Sequence, residues 1–176
     1  MNIPAQIVGL VGLVCSLLSF QQKEKKMVML FQMTASALFC IQLFMVGAIT
    51  GAYLDLISSV RTIVFALFMT TTKKWAASPV WPLVFIAALV GVGIYTWQDG
   101  WSILPILGSV LSTVALWMKK AKHIRLISLS VGPCWMIYNI VNGAYSGALN
   151  ELLAMTSIVI GMLRHDRKPE KTQKAR

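Results

Sequence analysis

Lysine and arginine are placed along this chain in a pattern that few folds allow. Seven apolar runs, at about 3–20, 27–46, 52–70, 80–97, 102–118, 123–142 and 148–164, are separated by short connections. Every second connection is basic. Lys23, Lys25 and Lys26 follow the first run, Lys73 and Lys74 the third, and Lys119, Lys120, Lys122 and Arg125 the fifth, while the tail after the seventh carries Arg164, Arg167, Lys168, Lys171, Lys174 and Arg176. The connections after the second, fourth and sixth runs hold no Lys or Arg, so 15 of the 16 basic residues cluster at one side and only Arg61 lies deep within a run. Cytoplasmic loops of membrane proteins collect Lys and Arg in this way, which predicts a periplasmic N-terminus and a cytoplasmic C-terminus in a bacterial inner (plasma) membrane. The runs are 17 to 20 residues long, near the minimum for a helix that crosses about 30 Å of hydrocarbon.

Composition supports the same reading. The chain is 57% hydrophobic and 12% charged, whereas soluble domains carry about 25% charged residues. A solvated shell around a single core is therefore excluded, and the lipid bilayer is the expected surrounding. The net charge of +10 is an orientation signal rather than a nucleic-acid footprint, since a nucleic-acid binder spreads its basic residues over a folded polar face. The first run is expected to be a retained helix rather than a secretory signal, because no basic residue precedes it and Val14 stands where a small residue is needed.

Catalysis and metal binding find little support. Cys15, Cys40 and Cys134 all lie within apolar runs and form no CxxC, so neither a disulfide framework nor a zinc site is expected. His123 and His165 sit at the cytoplasmic ends of runs, and HExxH, GxSxG and phosphate-cradling loops are missing. A retinal protein needs a lysine within its last span, and residues 148–163 contain none. The expectation is a non-enzyme without cofactor.

An internal repeat organises the chain. At an offset of 96, Gly12 falls on Gly108, Ser16 on Ser112, Lys23 on Lys119, Lys26 on Lys122, Gly47 on Gly143, Gly51 on Gly147 and Asp55 on Glu151, without a gap. Glycines, lysines and acids match, and not merely the leucines. The expected fold is all-α and integral to the membrane: a three-helix repeat over 1–72, a linker helix over 73–100, a second three-helix repeat over 101–164 and a basic tail over 165–176. A single crossing between the halves makes the repeat parallel. The segments Gly47-Ala-Ile-Thr-Gly51 and Gly143-Ala-Tyr-Ser-Gly147 read as tight turns.

Polar residues within the runs mark candidate sites. Asp55, Ser58, Ser59 and Thr62 share one face of the third helix, and Arg61 lies near mid-bilayer, where a charge costs at least about 2.5 kcal/mol on insertion scales. Asp55 and Glu151 are its candidate partners. The sixth run places Trp135, Asn139 and Asn142 on one stripe with Tyr138 beside it, and Pro133 near its middle. The seventh carries Asn150 and Glu151. The candidate substrate-binding set is therefore Arg61, Asp55, Ser58, Trp135, Tyr138, Asn139, Asn142, Asn150 and Glu151, with Arg61 expected in a central cavity against an anionic group. The position equivalent to Arg61 is Ser157, so the site is expected to be asymmetric.

The stretch Ser58-Ser-Val-Arg61-Thr62, the run Leu104-Pro-Ile-Leu-Gly-Ser-Val-Leu-Ser-Thr-Val-Ala-Leu116 and the segment Cys134-Trp-Met-Ile-Tyr-Asn139 resemble the YgjV family of bacterial inner membrane proteins. The resemblance covers nearly the whole membrane part and implies kinship with the SWEET and PQ-loop group. A clear Pro-Gln pair and a matched set of four prolines are missing from this chain, so sugar is not the implied substrate.

Two functions fit these features. One is a carrier or facilitator for a small polar or anionic solute, in which two three-helix repeats alternate access to a midplane site. The other is a non-transporting sensor or assembly protein whose buried polar groups specify helix packing, and self-association into a homo-oligomer is open to either. The topology is tested by reporter fusions: a phosphatase fused after Lys74 should be inactive, and one fused after Asp99 active. The opposite pattern would overturn the orientation.

Overall fold

The computed structural model describes residues 2–19, 21–22, 25–69, 78–118 and 121–165, and these contain seven α-helices. They are α1 (Ile3–Ser19), α2 (Lys25–Met45), α3 (Ile49–Met69), α4 (Val80–Tyr95), α5 (Ile103–Trp117), α6 (Ala121–Val141) and α7 (Tyr145–His165). Lys23, Lys73, Lys74, Lys119, Lys120 and the tail beyond His165 lie outside the described residues, as does the 72/73 boundary. Apolar runs of this length become helices because only a helix or a closed barrel satisfies every backbone N–H and C=O where no water competes. Four segments, Ile49–Leu67, Gly100–Trp117, Lys122–Val141 and Tyr145–Arg164, are long and apolar enough to cross a membrane, and Ile3–Ser19, Leu30–Met45 and Val80–Tyr95 are shorter apolar helices. Outward faces are apolar, with Ile7 and Leu10 on α1, Leu83 and Ile94 on α4, and Leu149 and Ile160 on α7 all exposed. Contiguous exposed apolar surface of this kind suits lipid rather than water.

Helices α2 and α6 have bounds that differ by 96 at both ends, and so do α3 and α7. The turns between them are built alike. At the end of α2, Gly47 has φ +80°, its N–H donates to the Phe44 carbonyl and the Ala48 N–H to the Leu43 carbonyl. At the end of α6, Gly143 has φ +74°, its N–H donates to the Ile140 carbonyl and the Ala144 N–H to the Asn139 carbonyl. Both are Schellman caps, which glycine alone enters without steric penalty. The expected five-residue turns are shorter than the sequence suggested. Gly51 and Gly147 belong to the first turns of α3 and α7, because two hydrogen bonds after a left-handed glycine suffice to reverse the chain.

The start of α5 is fixed differently. Asp99 Oδ1 accepts from the N–H groups of Trp101 and Ser102, while the Ser102 hydroxyl accepts from the backbone of Asp99 and Gln98. This capping box satisfies donors that would otherwise be orphaned at a helix start. Pro133 is accommodated within an uninterrupted α6.

Neighbouring helices pack in sequence, α1 on α2, α2 on α3, α5 on α6 and α6 on α7, and the contacts α1 on α7 and α3 on α5 close the assembly. Helix α4 lies against α3 and α5, where Leu89 meets Leu54 and Ile106 in a buried cluster. A second cluster joins Cys40, Leu43, Ala48, Ala52, Tyr138 and Ala144. Close approach depends on glycine. A Cβ on Gly12 would meet Leu38 and Phe39, and one on Gly108 would meet Cys134 and Trp135, pairs again separated by 96.

Another close approach, at Gly51, gives a stability test with an internal control. A Cβ on Gly51 would lie 2.3 Å from Tyr138 Cε1, whereas one on Gly91 meets nothing within 4 Å. Gly51→Ala should lower unfolding stability by about 1–3 kcal/mol through overpacking. Gly91→Ala should leave it equal or raise it by up to about 1 kcal/mol, since alanine is the better helix former. Thermal unfolding of the purified protein in detergent reads both.

Candidate functional site

Five of the helices contribute to one partly open cavity of about 190 Å³. Phe39, Gln42 and Leu43 come from α2, Asp55 and Ser58 from α3, Ser112 from α5, Val131, Trp135 and Asn139 from α6, and Gly147, Asn150 and Glu151 from α7. At about 30 Å³ per water, the space corresponds to about six water molecules. Three pairs of lining residues lie 96 positions apart: Phe39 with Trp135, Leu43 with Asn139, and Asp55 with Glu151.

Of the nine residues expected at a site, Asp55, Ser58, Trp135, Asn139, Asn150 and Glu151 line this cavity. Periodicity made them legible: i, i+3 and i+4 spacing keeps polar side chains on one face, and a polar face in a membrane helix turns toward protein or water. Asp55 Oδ2 and Ser58 Oγ are buried and have no hydrogen-bond partner. Glu151 lies where the charge of Asp55 acts on it.

Arg61 goes elsewhere. It is 3% exposed, and its Nη1 donates to the Ser109 carbonyl at 3.0 Å and to the Thr113 hydroxyl, both on α5. Among the described residues no hydrogen bond joins it to Asp55 or Glu151, and its Nε is without a partner. The expectation that Arg61 lines the cavity is therefore corrected, whereas Asp55, to which it forms no hydrogen bond, stays close enough for the two charges to act on one another. The reason is angular: residues six apart on a helix differ by about 600°, leaving them some 120° apart around the axis, so Arg61 faces α5 when Asp55 faces the cavity. A main-chain carbonyl and a hydroxyl, which leave no sequence pattern pointing at arginine, supply the compensation.

Two further candidates stand beside the cavity rather than in it. Tyr138 is 1% exposed and its hydroxyl accepts from the Gly51 N–H at 3.0 Å, so it binds α6 to α3. Its ring stands edge-on to that of Trp135, with centroids 6.3 Å apart. Asn142 donates back to the Tyr138 carbonyl and lines a separate depression near the Gly143 turn with Asn2, Val46 and Tyr145. Sequence reasoning missed Gln42, which is buried, lines the cavity and donates to Gln6 Oε1 at 3.4 Å. The signal was present, because Gln42 stands 96 residues before Tyr138.

At the ends of α2 and α6 the two turn glycines accept similar bonds. Gln98 Nε2 donates to the Gly47 carbonyl at 2.8 Å and Gln6 Nε2 to the Gly143 carbonyl at 2.5 Å. Thr50 then donates to the Thr96 carbonyl, and Ser146, 96 residues further on, to the Gln6 carbonyl at 3.2 Å. Among the described residues no group of His, Cys, Asp and Glu is arranged to hold a metal.

Seven helices with lipid-suited outer faces, five of them lining a small cavity that carries carboxylate and amide groups among apolar side chains, define a multi-helix membrane protein. Residues 3–169 match the family described as Imp-YgjV, bacterial inner membrane protein, and the chain belongs to that family. The inner membrane protein YgjV of Escherichia coli (strain K12) is 22% identical over 147 residues, which cover 84% of this chain and 76% of that one. No solved structure matches.

The anchoring of Arg61 yields a prediction. Thr113→Val keeps shape but removes a partner of a buried cation, and should lower unfolding stability by about 1.5–3 kcal/mol. Thr62→Val, at an exposed hydroxyl that bonds only its own helix, should change it by less than about 0.5 kcal/mol. Chemical or thermal unfolding of the two variants checks the difference.

Proposed function

We propose that this protein is a carrier or facilitator for a small polar solute, built as two parallel three-helix repeats, α1–α3 and α5–α7, joined by α4. One observation carries the reading: the cavity is lined by residues from both halves in pairs 96 positions apart, and it contains a buried carboxylate oxygen with no partner. A site shared between repeats is where rocking of one repeat against the other exposes a solute first to one side and then to the other. The equal bounds of α2 and α6 and of α3 and α7, and the paired turn bonds, support the repeat. Seven crossings with a periplasmic N-terminus follow from the basic connections. The cavity's volume of about 190 Å³ suits a small solute.

A non-transporting sensor or assembly protein is the second reading. The capture of Arg61 by α5 favours it, since there the most costly charge in the chain serves packing. Osmotic swelling of proteoliposomes separates the two. Under the carrier reading, vesicles holding the protein take up at least one of ethanolamine, ethylene glycol and glycolate faster than protein-free vesicles, and Asn150→Trp, which fills the cavity, abolishes the difference. Equal rates for all three solutes with and without protein would overturn it.

A further inference from the structure

We infer that the cavity is a recognition site for a small organic cation, a protonated or quaternary amine. The inference rests on the carrier reading above and names the chemistry of its solute. Four observations converge on it.

First, the charged lining is acidic. Asp55 and Glu151 both reach the cavity, and no lysine, arginine or histidine is among its lining residues. The nearby cation, Arg61, is turned to α5 and bonded there to Ser109 and Thr113. Two carboxyl groups at one cavity against a single nearby guanidinium favour a cationic solute over an anionic one.

Second, Asp55 Oδ2 is buried without a hydrogen-bond partner. A buried acceptor left unsatisfied is unfavourable, and more so for a carboxylate. A donor arriving with positive charge relieves both deficits at once.

Third, Phe39 and Trp135 line the same space. Aromatic faces attract cations through the ring quadrupole, Trp most strongly, and the attraction grows when water is excluded. Since these two residues stand 96 apart, each half contributes one aromatic and one carboxylate, and the site can hold an ammonium group between them.

Fourth, Asn139 and Asn150 also line the cavity. Their amides both donate and accept, which suits a solute that carries a hydroxyl or a carbonyl beside its ammonium.

Three solutes of nearly equal size isolate charge as the variable: ethanolammonium, ethylene glycol and glycolate carry +1, 0 and −1. Binding to the purified protein in nanodiscs is read by quenching or shift of tryptophan fluorescence and by the rise in unfolding temperature. The expected result is a saturable response to ethanolammonium, at least about tenfold weaker for ethylene glycol and absent for glycolate. Tetramethylammonium, which has no N–H, should still bind through the aromatic faces. Asp55→Asn and Glu151→Gln should each weaken ethanolammonium about tenfold or more while removing the preference over ethylene glycol. Glu151→Gln keeps the test decisive should Asp55→Asn fail to fold. Equal binding of ethanolammonium and ethylene glycol, preference for glycolate, or unchanged affinity in a folded carboxylate variant would overturn the cation assignment and leave the carrier reading intact. No response to any of the probes, together with equal swelling rates, would overturn both.

Discussion

Satisfying the main chain in the absence of water is the constraint on which the rest of this structure depends. Helices meet it along their length, and their ends need particular solutions. Gly47 and Gly143 close α2 and α6 with left-handed caps, and Asp99 with Ser102 opens α5. Those ends fix where α3, α5 and α7 begin. The phase of each helix about its axis is thereby set, and with it which residues see the interior.

Phase explains why Asp55 and Arg61, which the linear sequence invites one to pair, serve different ends. Asp55 faces the cavity with one oxygen unpartnered. Arg61 fastens α3 to α5 through Ser109 and Thr113. Truncating one partner of a buried charge exposes the remainder's full desolvation penalty, so this contact is a strong tie between α3 and α5. The position 96 residues on is Ser157, which is exposed, so α7 makes no comparable tie to α1. Instead Ser146 and Gln6 join those two helices near the turn.

Much of the fold was legible in the sequence. Apolar runs of span length located all seven helices to within about three residues, because in an apolar setting length and hydropathy alone decide. The polar residues of α3, α6 and α7 that line the cavity were legible from helical periodicity. Arg61 was not, since its partners are a carbonyl and a threonine, residues that sequence patterns do not mark as counter-charges. The packing role of Tyr138 was hidden for a similar reason: its partner is the Gly51 N–H, a donor every residue but proline possesses. Gln42 needed the repeat to be pursued one residue at a time, beyond the matches of identical type.

The two turn carbonyls held by Gln98 and Gln6 have a consequence for how this face of the molecule tolerates change. The acceptor in each case is a main-chain oxygen, which no side-chain replacement deletes, while the donor is a single amide. Variation at the glycines therefore disturbs the cap without removing the acceptor, and variation at the glutamines releases the fastening while leaving the cap intact. Closure of the turn and fastening across the molecule are thus under separate genetic control, and a lineage can loosen one without unmaking the other.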